Sequence, residues 1–467
     1  MTPTRHLAID LGATSGRAIL ATFDGERVES EEIRRFSHPM LPLNDHIYWN
    51  LPGLYHEILE ALRTVGRRGI SLDSIGIDSW GCDVVAFRAD GLPAGLPHCY
   101  RDARTEGAPE RFFERMAAKE LYSRTGIQVM DFNTVFQLSC SQPDAELILW
   151  IPDALAYMLT GKAVTEYTVA STSGMVNAAT GELDDEILRV LGLGREKFGP
   201  LVQPGTLIGC LTPQVAKYCG IGEVPLYAVA GHDTASAVIA VPAEGTDHAY
   251  LSCGTWSLLG VESESPVLTE EARALNFTNE GGIDGSIRLL KNICGLWLLE
   301  QSRGELHDAP TDIAALTALY EHSDCDSIIN PDDPCFAHPA SMTAAIRDYC
   351  RRTSQAEPET TADYVRVIFR SLARRYREVL DMLRRLGEKE INRLHVIGGG
   401  SRNSHLMQLT ADTLGIPVIA GPAESTALGN VLMQLRGCRL IKDRAEMRRI
   451  GRNSVTTKTY TPTEQAV

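Results

Sequence analysis

Five short stretches of this chain carry residue types at spacings that could do chemistry. The first is Asp10-Leu11-Gly12-Ala13-Thr14-Ser15-Gly16-Arg17. An aspartate closing an apolar strand, followed by small residues, lets backbone N–H groups approach a phosphate closely. The Thr14 and Ser15 hydroxyls and the Arg17 guanidinium would add donors, and the Asp10 carboxylate could hold Mg²⁺ directly or through water. The same residues would also serve a plain hairpin turn with a capping aspartate. Gly254-Thr255-Trp256-Ser257 offers the same device further on, with Trp256 as a core side chain if the turn is only structural. Gly398-Gly399-Gly400 follows an apolar run and precedes a helical one, where close backbone approach and a helix N-terminus favour a nucleotide. It is also ordinary strand-to-helix architecture.

Gly231-His232-Asp233-Thr234 lies between an apolar run from Pro225 to Ala230 and a small-residue helix. Asp233 there could take a proton from an alcohol as general base, or simply cap the helix. The last group is Asp78-Ser79-Trp80-Gly81-Cys82-Asp83, with Asn276 to Gly282 and Lys291-Asn292. Indole faces and hydroxyl-binding carboxylates suit a sugar, although each residue alone fits a loop or a core equally well. Walker and dinucleotide-binding glycine patterns are absent, as are G-x-S-x-G and H-E-x-x-H, so P-loop, Rossmann, acyl-transfer and zinc-protease chemistry lose support.

Elements that could position these groups alternate between strand-like and helix-like runs, an α/β pattern. Leu7–Ile9 and Ala18–Phe23 read as a hairpin about the first turn, and Ala249–Leu251 and Ser257–Val261 as a hairpin about the second. Setting Gly12 against Gly254 aligns Ser15 with Ser257, half a chain apart, which suggests two related domains linked near Pro242 to Gly245. Leu54, Ile58, Leu59, Leu62 and Val65 keep helical spacing. So do Val365, Ile368, Leu372, Tyr376, Val379, Met382, Leu383 and Leu386 in a helix from Ala362 to Leu386, whose arginines fall mostly off the apolar face and read as a solvated face rather than an anion-binding one. Leu394–Ile397 reads as a strand, and the polar tail after Gly451 as poorly ordered.

The whole composition bounds the partners. The 467 residues are enough for two or three domains, and 44% apolar with 22% charged residues is globular usage. A net charge of −15 argues against nucleic acid or an anionic membrane as partner. No targeting or membrane-spanning segment is apparent, and eleven scattered cysteines without C-x-x-C suggest reduced thiols in the cytoplasm. Protein partners are not identified by any feature.

Taken in order, the Asp10 loop, Gly231-His232-Asp233, Gly254-Thr255 and Gly398-Gly399-Gly400 resemble the FGGY carbohydrate kinases, from about Leu7 to about Arg436. Finer stretches continue the likeness: Gly76 to Gly81, Tyr100 to Thr105, Phe132-Asn133-Thr134, Thr278 to Gly282 and Lys291 to Leu299. The resemblance implies two actin-like (ribonuclease H-like) domains flanking a cleft, 1–243 binding mainly the sugar and 244–467 the nucleotide. It implies Asp233 as catalytic base. It assigns ATP contacts to Ala13, Thr14, Ser15, Gly16, Arg17, Thr255, Gly399 and Gly400, and sugar contacts to Gly81, His232, Asp233, Thr234 and Asn292. ATP and Mg²⁺ follow as cofactors, with the metal near Asp10, and the sugar and ATP as small-molecule partners. The finer stretches are similar to members that phosphorylate L-rhamnulose at O1 in L-rhamnose catabolism. L-fuculose or a xylulose are the alternatives, and a non-catalytic sensor on the same fold would have lost the base. Glu300 departs from the glutamine that such members can carry, and would need a cationic partner if it faced the nucleotide.

Overall fold

A computed structural model describes residues 2–141, 144–337 and 339–463. The chain forms two compact units. The first comprises Met1–Pro242 with two later returns, Glu262–Leu289 and Ser425–Ser454; the second holds Ala243–Val261, Leu290–Glu424 and Val455–Val467.

In the first unit a six-stranded sheet carries the site. Thr4–Leu11 and Ser15–Phe23 form the antiparallel hairpin expected about Gly12, with Leu11 opposite Gly16. Ser74–Ser79 lies parallel on the other side of Thr4–Leu11 and places Asp78 beside Asp10. Val28–Ser37 extends one edge; Pro225–Tyr227 and Leu207–Cys210 extend the other. The strand expected to run from Pro225 to Ala230 stops at Tyr227, because the chain leaves the ladder to deliver Gly231 and His232. Helix Leu51–Arg67 buries Leu54, Ile58, Leu62 and Val65 against this sheet, and Asn50 caps it by accepting from Gly53 N. Each such side chain contributes about 1.5–3 kcal/mol of burial. Helix Ser425–Gly437 buries nearly every side chain, including the polar Asn430 and Gln434.

The second unit repeats the opening motif. His248–Cys253 pairs antiparallel with Trp256–Ser263 and parallel with Arg393–Ile397. Its hairpin is one residue tighter, since Cys253 faces Ser257 across three residues where Leu11 faces Gly16 across four. Trp256 is half-buried rather than a core side chain. The 26-residue helix Thr361–Leu386 begins at a capping box, Thr360 with Asp363, and buries Val365, Ile368, Leu372, Tyr376, Val379 and Leu383 completely. Its solvent-face arginines pair with acids: Arg370 with Asp326, Arg374 with Glu378, Arg377 with Asp381. That is a solvated ion-pair face, as expected.

The expectation of a poorly ordered tail after Gly451 is corrected by the structure as far as residue 463; residues 464–467 lie outside the described residues. Helix Arg444–Ser454 continues through Gly451, and Lys458–Tyr460 adds an antiparallel strand to Val418–Ala420. Sheet hydrogen bonds and burial of Tyr460 hold the segment. No helix among the described residues is long and apolar enough to cross a membrane. None of the eleven cysteines forms a disulfide.

Candidate active site

On the first unit, three aspartates converge at the carboxyl ends of parallel strands and the start of a short helix. Asp10 and Asp78 are opposite one another in the parallel register, and both are buried. Burial raises the Asp10 carboxyl above its ordinary range, Arg17 opposes this by pairing with Oδ2, and Asp233 adds repulsion. Asp78 is pushed well up, by burial first and then by the charge of Asp10; Asn430 donates to its Oδ2 and partly offsets the rise. Asp78 Oδ1 is buried with no hydrogen-bond partner among the described residues. Arg17, expected to donate to phosphate, is engaged with Asp10. Two adjacent carboxyls with an unfilled oxygen are the hard donor set that Mg²⁺ prefers, so the residues fit that ion.

Asp233 is the first residue of helix Asp233–Ile239, and His232 occupies the cap position. The alternative of Asp233 as a mere cap is therefore not what the structure adopts. Its Oδ1 accepts from Thr234 N and, at 3.1 Å, from Thr234 Oγ1, and its side chain is 31% exposed. His232 Nε2 is 3.4 Å from the same oxygen. On its other side His232 Nδ1 lies 3.3 Å from Glu280 Oε2, and Arg288 Nη2 lies 3.1 Å from that oxygen. Burial works to raise Glu280, but Arg288 and His232 together outweigh it and hold the carboxyl below its usual range. Arg288, Glu280, His232 and Asp233 thus form a contiguous chain of polar side chains leading to a partly open carboxylate.

The peptide before Asp233 is fixed from both sides. Gly231 N donates to Glu166 Oε2 at 2.9 Å, and Gly231 O accepts from Ser79 N at 2.9 Å. His232 N donates to Thr168 Oγ1. Glu166 also accepts from Thr168 N, Thr168 Oγ1 and Val169 N. A Cβ on Gly231 would lie 2.8 Å from Glu166 Oε2, so glycine is required there. Glu166 and Arg288 carried no motif. The available signal was a lone acid, Glu166, just before a run of small buried residues.

Near the expected sugar segment, Asp83 is not a free hydroxyl acceptor. It accepts from Trp49 Nε1, Trp80 Nε1, Tyr100 N and Gln137 Nε2. Burial pushes its pKa up to about 6 against those donors. Gly81 is half-buried, and a Cβ there would meet Thr172 Oγ1 at 2.7 Å. Ala13 and Ser15 are partly exposed and Thr14 exposed, while Gly16 is buried against Phe36. Thr234 is buried.

On the second unit, Thr255 is exposed at its hairpin tip, and Gly398 and Gly400 lie against Cys253, the residue that enters that hairpin. Gly398 has φ +84°, and a Cβ on Gly400 would be 2.3 Å from Cys253 Sγ. The glycines lead into a 3₁₀ turn, Gly399–Arg402, and the following helix starts only at Ser404 with Asn403 as its cap. The helix N-terminus is thus offset from the glycines where it was expected. Leu296 N and Trp297 N donate to Gly254 O and Thr255 O, tying helix Trp297–Glu305 to the tip. Asn292 is half-buried on strand Ile287–Cys294. Glu300 is exposed and pairs with Arg303, so its charge has a cationic partner.

The N-terminal domain of the FGGY family of carbohydrate kinases matches residues 6–240, and the family's C-terminal domain matches residues 249–438. This chain belongs to the FGGY family of carbohydrate kinases. As an FGGY kinase it is an ATP-dependent sugar phosphotransferase. It is 52% identical to a rhamnulokinase of Bacteroides thetaiotaomicron over 98% of this chain and 96% of that one. A rhamnulokinase of Pectobacterium atrosepticum is 42% identical over 98% and 92%. Among solved structures, gluconate kinase from Lactobacillus acidophilus superposes with a TM-score of 0.83 at 17% identity, covering 100% of this chain and 95% of that one. Xylulose kinase from the same organism superposes at 0.81 and 16%, covering 99% and 94%. These structural neighbours establish the two-domain FGGY kinase fold.

Proposed function

We propose that this FGGY kinase transfers the γ-phosphoryl group of ATP to the O1 hydroxyl of L-rhamnulose, with Asp233 as general base. The observation that carries the reading is full-length likeness to rhamnulokinases at 52% and 42% identity. Asp233, tethered through Oδ1 and partly exposed, is a suitable base to go with it.

In this scheme Asp233 takes the O1 proton as the oxygen attacks the γ-phosphorus. His232, held by Glu280 and Arg288, fixes the Asp233 carboxylate and, with Gly81, Thr234 and Asn292, contacts the sugar. Backbone N–H groups of Ala13 to Arg17 take phosphate oxygens, as do those of Thr255, Gly399 and Gly400. Backbone donors bind anions without net positive charge, so a chain of −15 can still hold ATP. Asp10, with Asp78 beside it, would hold Mg²⁺, directly or through water. When bound, that ion supplies neutralisation of the charge on the β- and γ-phosphates.

The division of labour, sugar mainly on 1–243 and nucleotide on 244–467, is part of the same proposal. So is a cytoplasmic location, supported by cysteines outside any disulfide and by ATP as substrate. Small molecules are its proposed partners.

An ADP-release assay across L-rhamnulose, L-fuculose and D-xylulose tests the substrate. L-rhamnulose should give the highest kcat/KM. Strong turnover with L-fuculose alone would overturn the rhamnulose assignment and keep the kinase.

A further inference from the structure

We propose that His46, His98 and Asp102 form a binding site for a first-row transition-metal dication, with Zn²⁺ as the reference ion, distinct from the Mg²⁺ site assigned to Asp10. One ligand atom from each residue lies within 4.8 Å of the other two. His46 Nδ1 is 3.1 Å from Asp102 Oδ1 and 3.2 Å from Oδ2. Tetrahedral zinc with bonds of about 2.0–2.2 Å places its ligand atoms roughly 3.3–3.5 Å apart. The His46–Asp102 spacing is thus already close to that required. The third ligand is a His98 ring nitrogen within 4.8 Å of the other two, on a ring perpendicular to His46 at a centroid distance of 5.2 Å.

The scaffold beneath is rigid. Strand His46–Tyr48 is tied to the 97–99 segment: Cys99 N donates to Ile47 O, and Trp49 N donates to Pro97 O. Asp102 is buried, accepts from Ile47 N and caps the turn Ala103–Thr105. The segments that carry the three side chains are therefore held by backbone contacts that do not depend on a metal.

A second observation points to a ligand. His98 Nδ1 is buried with no hydrogen-bond partner among the described residues. Leaving such an atom unsatisfied costs about 1–3 kcal/mol.

The donor set selects the ion. Two imidazoles and one carboxylate suit Zn²⁺, Co²⁺ or Ni²⁺, whereas Mg²⁺ and Ca²⁺ prefer oxygen cages. Arg104 Nε lies 3.9 Å from Asp102 Oδ1, so bulk attraction contributes little and the nitrogen ligands must carry the affinity. The His46 side chain is 43% exposed, which leaves an entry path and an open position for water. The bound ion would clamp His46–Tyr48 to the 98–105 segment. Trp49 and Tyr100, which both donate to Asp83, are the residues that follow on each side.

Titration of the metal-stripped full chain with Zn²⁺ by calorimetry, and with Co²⁺ by visible absorption, tests the site against His46→Ala and His98→Gln. One site should appear in the native chain and weaken at least about 10-fold in each variant. Co²⁺ should give a d–d spectrum without a thiolate charge-transfer band. Kinase turnover of His46→Ala, assayed with Mg²⁺ alone, should be unchanged. His46→Ala is an exposed change, so the comparison survives if His98→Gln fails to fold. Equal Zn²⁺ affinity in the native chain and His46→Ala, or a thiolate band, would overturn the proposal.

Discussion

Asp10 and Asp78 face each other across two parallel strands, both buried, with Arg17 on one carboxyl and Asn430 on the other. Burial pushes both carboxyls up; the charge of Asp10 adds to the rise at Asp78, and that of Asp233 to the rise at Asp10. A carboxyl raised in the folded state stabilises the fold in acid. That stability is lost as pH rises from the ordinary value of 3.8 through the folded pKa. Asp78→Asn should therefore flatten the decline of stability with rising pH, as measured by urea unfolding at a series of pH values. An unchanged pH slope would remove the charge conflict. In Asp10→Asn the Mg²⁺ concentration for half-maximal activity should rise, while KM for the sugar stays close to normal.

Glu166 holds the Gly231–His232 peptide through Gly231 N and, by way of Thr168 Oγ1, His232 N. Glu166→Gln replaces an acceptor by an amide with two donors, leaving the Gly231 and Val169 N–H groups short of partners at about 1–3 kcal/mol each. The expected result is a lower melting temperature and a kcat reduced by about 10-fold or more, with KM for ATP little changed. Glu166→Asp, which keeps the acceptor, should recover part of kcat. A variant with native kcat would show that this peptide needs no such support.

Neighbouring glycines of one turn should respond differently. A Cβ on Gly400 meets Cys253 Sγ at 2.3 Å and Cys253 O at 2.9 Å, whereas one on Gly399 meets nothing within 4 Å. Gly400→Ala should destabilise the chain by about 1–3 kcal/mol, and Gly399→Ala by little. Thermal denaturation of the two variants checks this. Equal losses would contradict the packing of the turn on Cys253.

Local features of the sequence carried a good part of this far. Turn glycines and hydroxyls marked both hairpins, and the apolar period of Thr361–Leu386 marked its helix, because the responsible residues are neighbours in the chain. Asp78 was read as a sugar-binding group, yet it lies buried beside Asp10. That relation depends on parallel pairing across 68 residues, to which no local pattern points. Glu166 and Arg288 were missed for the same reason: their partners at Gly231 and Glu280 are set by tertiary packing. The return of Ser425–Ser454 to the first unit is likewise non-local, resting in part on Gln434 donating to Leu7 O and accepting from Ser74 Oγ.

The central claim is that Asp233 is the base for phosphoryl transfer to L-rhamnulose. Single-turnover and steady-state ADP release by Asp233→Asn, with sugar binding followed in parallel by calorimetry, test it most directly. The account predicts a kcat lower by about two orders of magnitude or more with sugar affinity retained. Near-normal turnover in that variant would contradict it.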